Sequence, residues 1–152
     1  MCIRDSPYTP AVNLVFALDE ALKMMRDEGL ENIFLRHNKH KLAMSNAVKA
    51  LNLKLFADEK NLSPSITAIK TEEIDAEEFR KTIKNNFDNL LAGGQDHLKG
   101  KIFRVGHLGY VNDRDILTVV SAIGNTLLDL GKITSNQAGE ALAVVSKYLA
   151  GN

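Results

Sequence analysis

The run KIFRVGHLGY, residues 101–110, sets one permanently charged side chain, Arg104, between Phe103 and Val105, directly before a Gly-x-x-Gly turn. In an extended segment Ile102, Arg104 and Gly106 point one way, and Lys101, Phe103 and Val105 the other. One face can then join a core while the other presents a planar guanidinium beside a small residue, toward an open cleft. Such a group suits two-pronged pairing with a carboxylate. Hydrogen bonds to a charged group contribute about 1.5–3 kcal/mol each. The same pattern also fits an ordinary sheet arginine paired with a surface Asp or Glu.

Thr9-Pro10 is the second candidate. Threonine caps a helix, and proline fits the first helical position, where no amide hydrogen is needed. A helix start offers free amides and a positive dipole end to a phosphate or carboxylate, although most such starts meet only water. Gly93-Gly94 permits a sharp loop near a ligand but matches no phosphate-binding fingerprint. His37 and His40 fall three apart on a helical stretch with no third ligand in view, so they read as a solvated helix face rather than a metal site. His97 and His107 flank the Arg104 run. Each fits either a ligand contact or a plain loop or turn histidine. Met24, Met25 and Met44 read as packing. The acidic run EEIDAEE reads as a helix N-terminus. Neither a Gly-x-Ser-x-Gly elbow nor a paired-carboxylate motif occurs.

The elements that must position these residues follow from periodicity. Val15, Leu18, Leu22 and Met25 repeat at helical spacing up to Gly29, and a second helix is expected from about Glu31 to Leu51, ended by Asn52. LKLFA (53–57), SITAIK (65–70) and KIFRVGH (101–107) read as strands. Asp75 with Glu78 opens a helix through Phe79, Ile83 and Phe87. Asn112 caps a helix carrying Ile116, Val119, Val120, Ile123, Leu127 and Leu130, closed by Gly131. A last helix runs from Ser135 to Leu149, with Thr134 and Gln137 at capping-box spacing. NLLA (89–92) is apolar and of undecided type. The expected fold is α/β: a small mixed or antiparallel sheet covered by helices on one face, preceded by two long helices.

The 152 residues suit a single core, with 45% apolar and 25% charged residues and a formal net charge of zero. That balance offers no basic surplus for a nucleic-acid backbone. No apolar run suits a bilayer, and no secretory signal opens the chain. Cys2 is the single cysteine, so no internal disulfide forms. A cytoplasmic setting is the expectation. The opening MCIRDS fits no element and resembles translated adaptor sequence, which leaves room for a missing N-terminal portion. The expected segments are 1–6 as that scar, 7–52 as a helical link, 53–131 as a small α/β domain and 132–152 as a helical extension.

YTPAVNLVFALDEALKMMRDEGLENI, LNLKLFA, SPSITAI and AGGQDHLKGKIFRVGHLGY occur in this order. Together they resemble the C-terminal part of class V pyridoxal-phosphate-dependent aminotransferases, especially the alanine–glyoxylate and serine–pyruvate group. The resemblance covers the chain from Pro7 onward. It implies the small domain of a fold-type-I enzyme, Arg104 as binder of the substrate α-carboxylate, and Thr9 as a contact to the cofactor phosphate across a homodimer. It implies pyridoxal 5'-phosphate as cofactor, and an amino acid and a 2-oxo acid as substrates. The family's Schiff-base lysine lies in a preceding large domain, so the fragment alone is expected to be inactive. Related cysteine desulfurases need a reactive cysteine before the arginine strand; the loop GGQDHLKGK has none, which favours transamination. A non-catalytic module holding a small carboxylate is the alternative.

Overall fold

The computed structural model describes residues 10–151. The expected scar at 1–6 and the candidate Thr9 lie outside them. The chain divides into two compact units, one ending at Leu35 and the other starting at Arg36.

The first unit contains helix α1 (Val12–Glu28) and the start of α2 (Leu30–Ala50). Here the expectation needs correction. Helix α1 begins two residues later than the proline suggests, with Ala11 at the cap position and no side-chain cap. The reason is local: the amides of Leu14 and Val15 both donate to the Ala11 carbonyl, at 3.0 and 3.2 Å, so that carbonyl is the first one inside the helix. Gly29, at φ +83°, ends α1 in a conformation that side-chain-bearing residues rarely adopt. The stripe Val15, Leu18, Leu22 and Met25 is helical as expected, yet every one of these residues is exposed.

The second unit holds the rest of α2, strands β1 (Lys54–Leu55) and β2 (Ile66–Lys70), helix α3 (Ala76–Phe87), strands β3 (Ala92–Gly93) and β4 (Ile102–Gly106), and helices α4 (Asp113–Asp129) and α5 (Ser135–Leu149). All strand pairs are antiparallel, in the order β1-β2-β4-β3. Strand β4 reaches the middle of the sheet because α3 carries the chain from β2 out to the edge strand β3, and β4 then folds back between them.

The helix starts are built as their residues suggest. Asp75 accepts from the amides of Glu77 and Glu78, while Asn112 with Asp115 and Thr134 with Gln137 form reciprocal capping boxes. Each cap contributes about 1 kcal/mol. Asn52 ends α2 with φ +57°. The core joins Met44 and Val48 of α2, Leu51 just past its end, Phe79 and Ile83 of α3, and Ile116, Val120, Ile123 and Leu127 of α4 to Ile69, Phe103 and Val105 of the sheet. The rings of Phe79 and Phe103 meet at 5.2 Å. Helix α5 buries Ala141 and Val145 in the same core. Among the described residues no helix is long and apolar enough to cross a membrane.

Candidate functional site

The alternation expected of β4 holds. Phe103 and Val105 are buried on the helix-covered face, Gly106 is exposed, and Arg104 is half-buried on the opposite side. Ile102 departs from it: it shares the Arg104 face and is nonetheless buried. The turn after β3 folds over it, close enough that a Cβ on Gly94 would sit 3.0 Å from Ile102 Cγ1.

Across the sheet Arg104 pairs with Ala68 on β2 and with Ala92 on β3. Two methyl groups therefore flank the guanidinium, and neither can shield it. Arg104 Nε donates to the Gly93 carbonyl at 3.0 Å. Its two terminal nitrogens make no hydrogen bond and no ion pair among the described residues. A guanidinium fixed at Nε, with its outer edge unused, can accept a carboxylate without first giving up an internal partner. A neighbouring hollow of about 120 Å³ is lined by other residues, among them Val105, Gly106 and Val111.

The Gly-Gly loop has a steric cause. A Cβ on Gly94 would collide with the backbone carbonyl of Leu98, and one on Gly93 would lie 2.5 Å from Arg80 Nη1. Arg80, on α3, donates Nε to the Leu91 carbonyl at 2.8 Å and Nη1 to both Glu77 oxygens at 2.9 and 2.8 Å. It anchors the approach to β3 from the helix side. Past β4, Arg36 donates Nη1 to the carbonyls of Gly109 and Val111, each at 2.9 Å, and so ties the following loop to α2.

The histidines separate sharply. His97 is exposed on a short 3-10 turn, Asp96–Leu98, as a loop histidine would be. His40, expected on a solvated face, is instead fully buried. Its Nε2 lies 2.9 Å from Asp113 Oδ1, and because a carboxylate only accepts, Nε2 carries the proton. Lys39 Nζ holds the other Asp113 oxygen at 2.8 Å. Burial acts to raise the Asp113 pKa, but the hydrogen bonds from Lys39 and His40 outweigh it and leave the carboxyl below its ordinary value. Burial lowers His40 against the opposing pull of Asp113. His107 is also fully buried, with Nε2 2.9 Å from Thr67 Oγ1. Burial, helped by nearby His40 and His37, pushes it down to about 4 against the Pro64 and His107 backbone. Nδ1 of each buried ring makes no well-formed hydrogen bond. Among the described residues no three His, Cys, Asp or Glu side chains are placed to hold a metal ion.

Both buried histidines left a trace in the sequence. Counting by two from Phe103 and Val105 reaches His107 on the core face. Counting back by four from Met44 reaches His40 on the core stripe of α2. Arg80 left none, because its role depends on an edge strand of two residues.

No family model matches the chain. Known proteins do resemble it, among them the three that follow. A Synechococcus protein named soluble hydrogenase, small subunit, is 52% identical over 144 residues, 95% of this chain and 37% of the relative. Serine–glyoxylate aminotransferase of Methylorubrum extorquens is 36% identical over 96% of this chain and 36% of its own length. The crystal structure of ureidoglycine–glyoxylate aminotransferase from Bacillus subtilis superposes with a TM-score of 0.84 at 31% identity, covering 92% of this chain and 37% of that one. The chain thus spans little more than a third of the length of the curated relatives it matches. The antiparallel sheet under its helices, the arginine on the central strand and these likenesses agree: the chain belongs to the class V pyridoxal-phosphate-dependent aminotransferases, of which it represents the C-terminal portion.

Proposed function

We propose that this chain supplies the substrate-carboxylate subsite of a transaminase that moves an amino group from alanine or serine to glyoxylate or pyruvate. Arg104 is the residue that grips the carboxylate of both the amino acid and the 2-oxo acid. The observation that carries this reading is the guanidinium fixed at Nε by Gly93, with both terminal nitrogens unused among the described residues. The carboxylate is common to both substrates, so one fixed cation holds either in the same orientation, which is a positioning role.

The described residues fit the substrate side of this chemistry. Pyridoxal 5'-phosphate, when bound, carries the amino group between the two substrates. Thr9 is assigned to its phosphate in this reading, across a homodimer, and no described residue is assigned to the cofactor. The fragment alone is read as inactive. A cytoplasmic setting and the segment boundaries at 6, 52 and 131 belong to the same proposal.

The name of the hydrogenase-subunit relative favours a second reading, in which the domain serves an assembly and turns nothing over. Measurements on the full-length polypeptide containing this chain separate the two. Arg104→Lys loses the planar fork and is expected to weaken binding of L-alanine and of glyoxylate by about tenfold to a hundredfold, the loss of one charge-assisted hydrogen bond or more. Cofactor loading, read by absorbance, should stay nearly intact. Equal loss of substrate and cofactor binding would remove Arg104 from the carboxylate. Thr9→Val is expected to weaken cofactor affinity instead. Full-length protein that loads cofactor but leaves L-alanine unchanged in a half-reaction would favour the assembly role.

A further inference from the structure

Strand β3 is only two residues long, Ala92–Gly93, and lies at the sheet edge. A strand so short has little stability of its own. Yet among the described residues its Gly93 carbonyl is the one group that fixes the Arg104 guanidinium. Whatever holds Gly93 in place therefore aims Arg104.

Two things hold it. Along the sheet, the pairing Gly93 with Phe103 continues into a hydrogen bond from the Gly94 amide to the Ile102 carbonyl at 3.1 Å. Beneath the sheet lies the ion pair of Arg80 with Glu77. Arg80 is largely buried, with its side chain 23% exposed. Its Nε is spent on the Leu91 carbonyl, two residues before Gly93. Its Nη1 is spent on Glu77 and lies 2.5 Å from where a Gly93 Cβ would be, and Glu77 Oε1 is 2.7 Å from the same point. The ion pair touches one side of Gly93, and Arg104 bonds to its carbonyl. The lack of a side chain at 93 makes room for the ion pair on one side, while Arg104 bonds to the backbone carbonyl.

We propose that Arg80, braced by Glu77, is a positioning residue for Arg104. By pinning Leu91 and the underside of Gly93, it sets the carbonyl that orients the carboxylate-binding guanidinium. The ligand class is a small monocarboxylate, and this part rests on the reading of Arg104 given above. Lysine at 80 keeps a charge for Glu77 but loses the Nε donor and the flat shape that fits under glycine.

The test uses the full-length polypeptide containing this chain and reads hydrogen exchange at the Arg104 Nε–H by nuclear magnetic resonance. In Arg80→Lys that exchange should quicken about tenfold, the loss of roughly one hydrogen bond's protection. The backbone amides of Phe103 and Val105 should keep theirs. Glu77→Gln, which keeps the shape and one of the two accepting oxygens but loses the charge, should show the same selectivity with a smaller effect. Unchanged Arg104 Nε–H exchange in both variants overturns the proposal, because the ladder alone would then suffice. Equal acceleration at Phe103 and Val105 also overturns it, because Arg80 would then merely stabilise the sheet. Titration with glyoxylate gives the functional arm: Arg80→Lys should weaken binding when Arg104 is present and add nothing in an Arg104→Lys background. Absence of glyoxylate binding to the unaltered chain would count against the carboxylate reading, while the exchange result still decides whether Arg80 aims Arg104.

Discussion

Strand β4 separates two polar regions that use similar chemistry to opposite ends. On its exposed side Arg104 keeps a charge with unused donors among alanines. On its core side His107 is sealed against Thr67, next to His40 with its Asp113 and Lys39 partners. The difference lies in where unused hydrogen-bonding capacity is left. Near water an unmade bond costs little and is available to a ligand. In the core it costs about 1–3 kcal/mol. The buried region accordingly spends Nε2 of each ring and leaves only the two Nδ1 atoms over. Substitutions on the two sides should therefore separate cleanly, one side through binding and the other through stability.

The largest separation is expected at His107. Removing its ring in His107→Ala opens a cavity and strands the buried Thr67 hydroxyl, for an expected loss of about 3 kcal/mol by denaturant unfolding. Carboxylate binding per folded molecule should be unaffected. A loss well under 1 kcal/mol would mean that the core side tolerates unmade bonds as the open side does, and the contrast would fail.

Acid should sharpen the same contrast. His107 titrates near 4 when folded and at its ordinary 6.5 when unfolded. Between those values the unfolded chain binds the extra proton, so stability rises with pH across this window and is lost as pH falls through it. The displacement corresponds to roughly 3 kcal/mol. His40 is lowered as well and adds in the same direction. Asp113 acts below the histidine window: its lowered carboxyl contributes stability above its unfolded value and loses it only as pH falls through the folded one. His107→Gln, which can still bond Thr67 but cannot titrate, is expected to flatten the stability profile between pH 4 and 6.5. A profile as steep as that of the unaltered protein would place the proton elsewhere.

How far the sequence discloses these two regions depends on the range of the contact involved. Arg104 is legible from alternation within five residues, because strand geometry is local. Asp75, Asn112 and Thr134 are legible as caps for the same reason. The partner of His40 is Asp113, 73 positions away, and no local pattern announces it. Strand β3 is hidden in the run NLLAGG because two residues are too few for a period, and the need for Gly94 arises from the carbonyl of Leu98 rather than from any turn rule. The apolar stripe of α1 misleads in the other direction. Helical spacing fixed its conformation, but exposure of the whole stripe could not be read from periodicity, which reports a face and not what covers it.

The smallest expected effect completes the comparison. Arg104→Ala removes one hydrogen bond, to a carbonyl at the sheet edge, from a half-buried side chain. No acidic partner among the described residues is left stranded by the change. Its cost in stability is expected to be about 1 kcal/mol or less, as for an ordinary hydrogen bond near the surface. The measurement pairs denaturant unfolding with a glyoxylate titration of the same sample. Small destabilisation together with abolished binding would be the mark of a cation held for a ligand. If Arg104→Ala instead destabilised the chain as severely as His107→Ala, the arginine would be serving the sheet itself. The unused donors would then reflect the packing of β4 rather than readiness for a carboxylate.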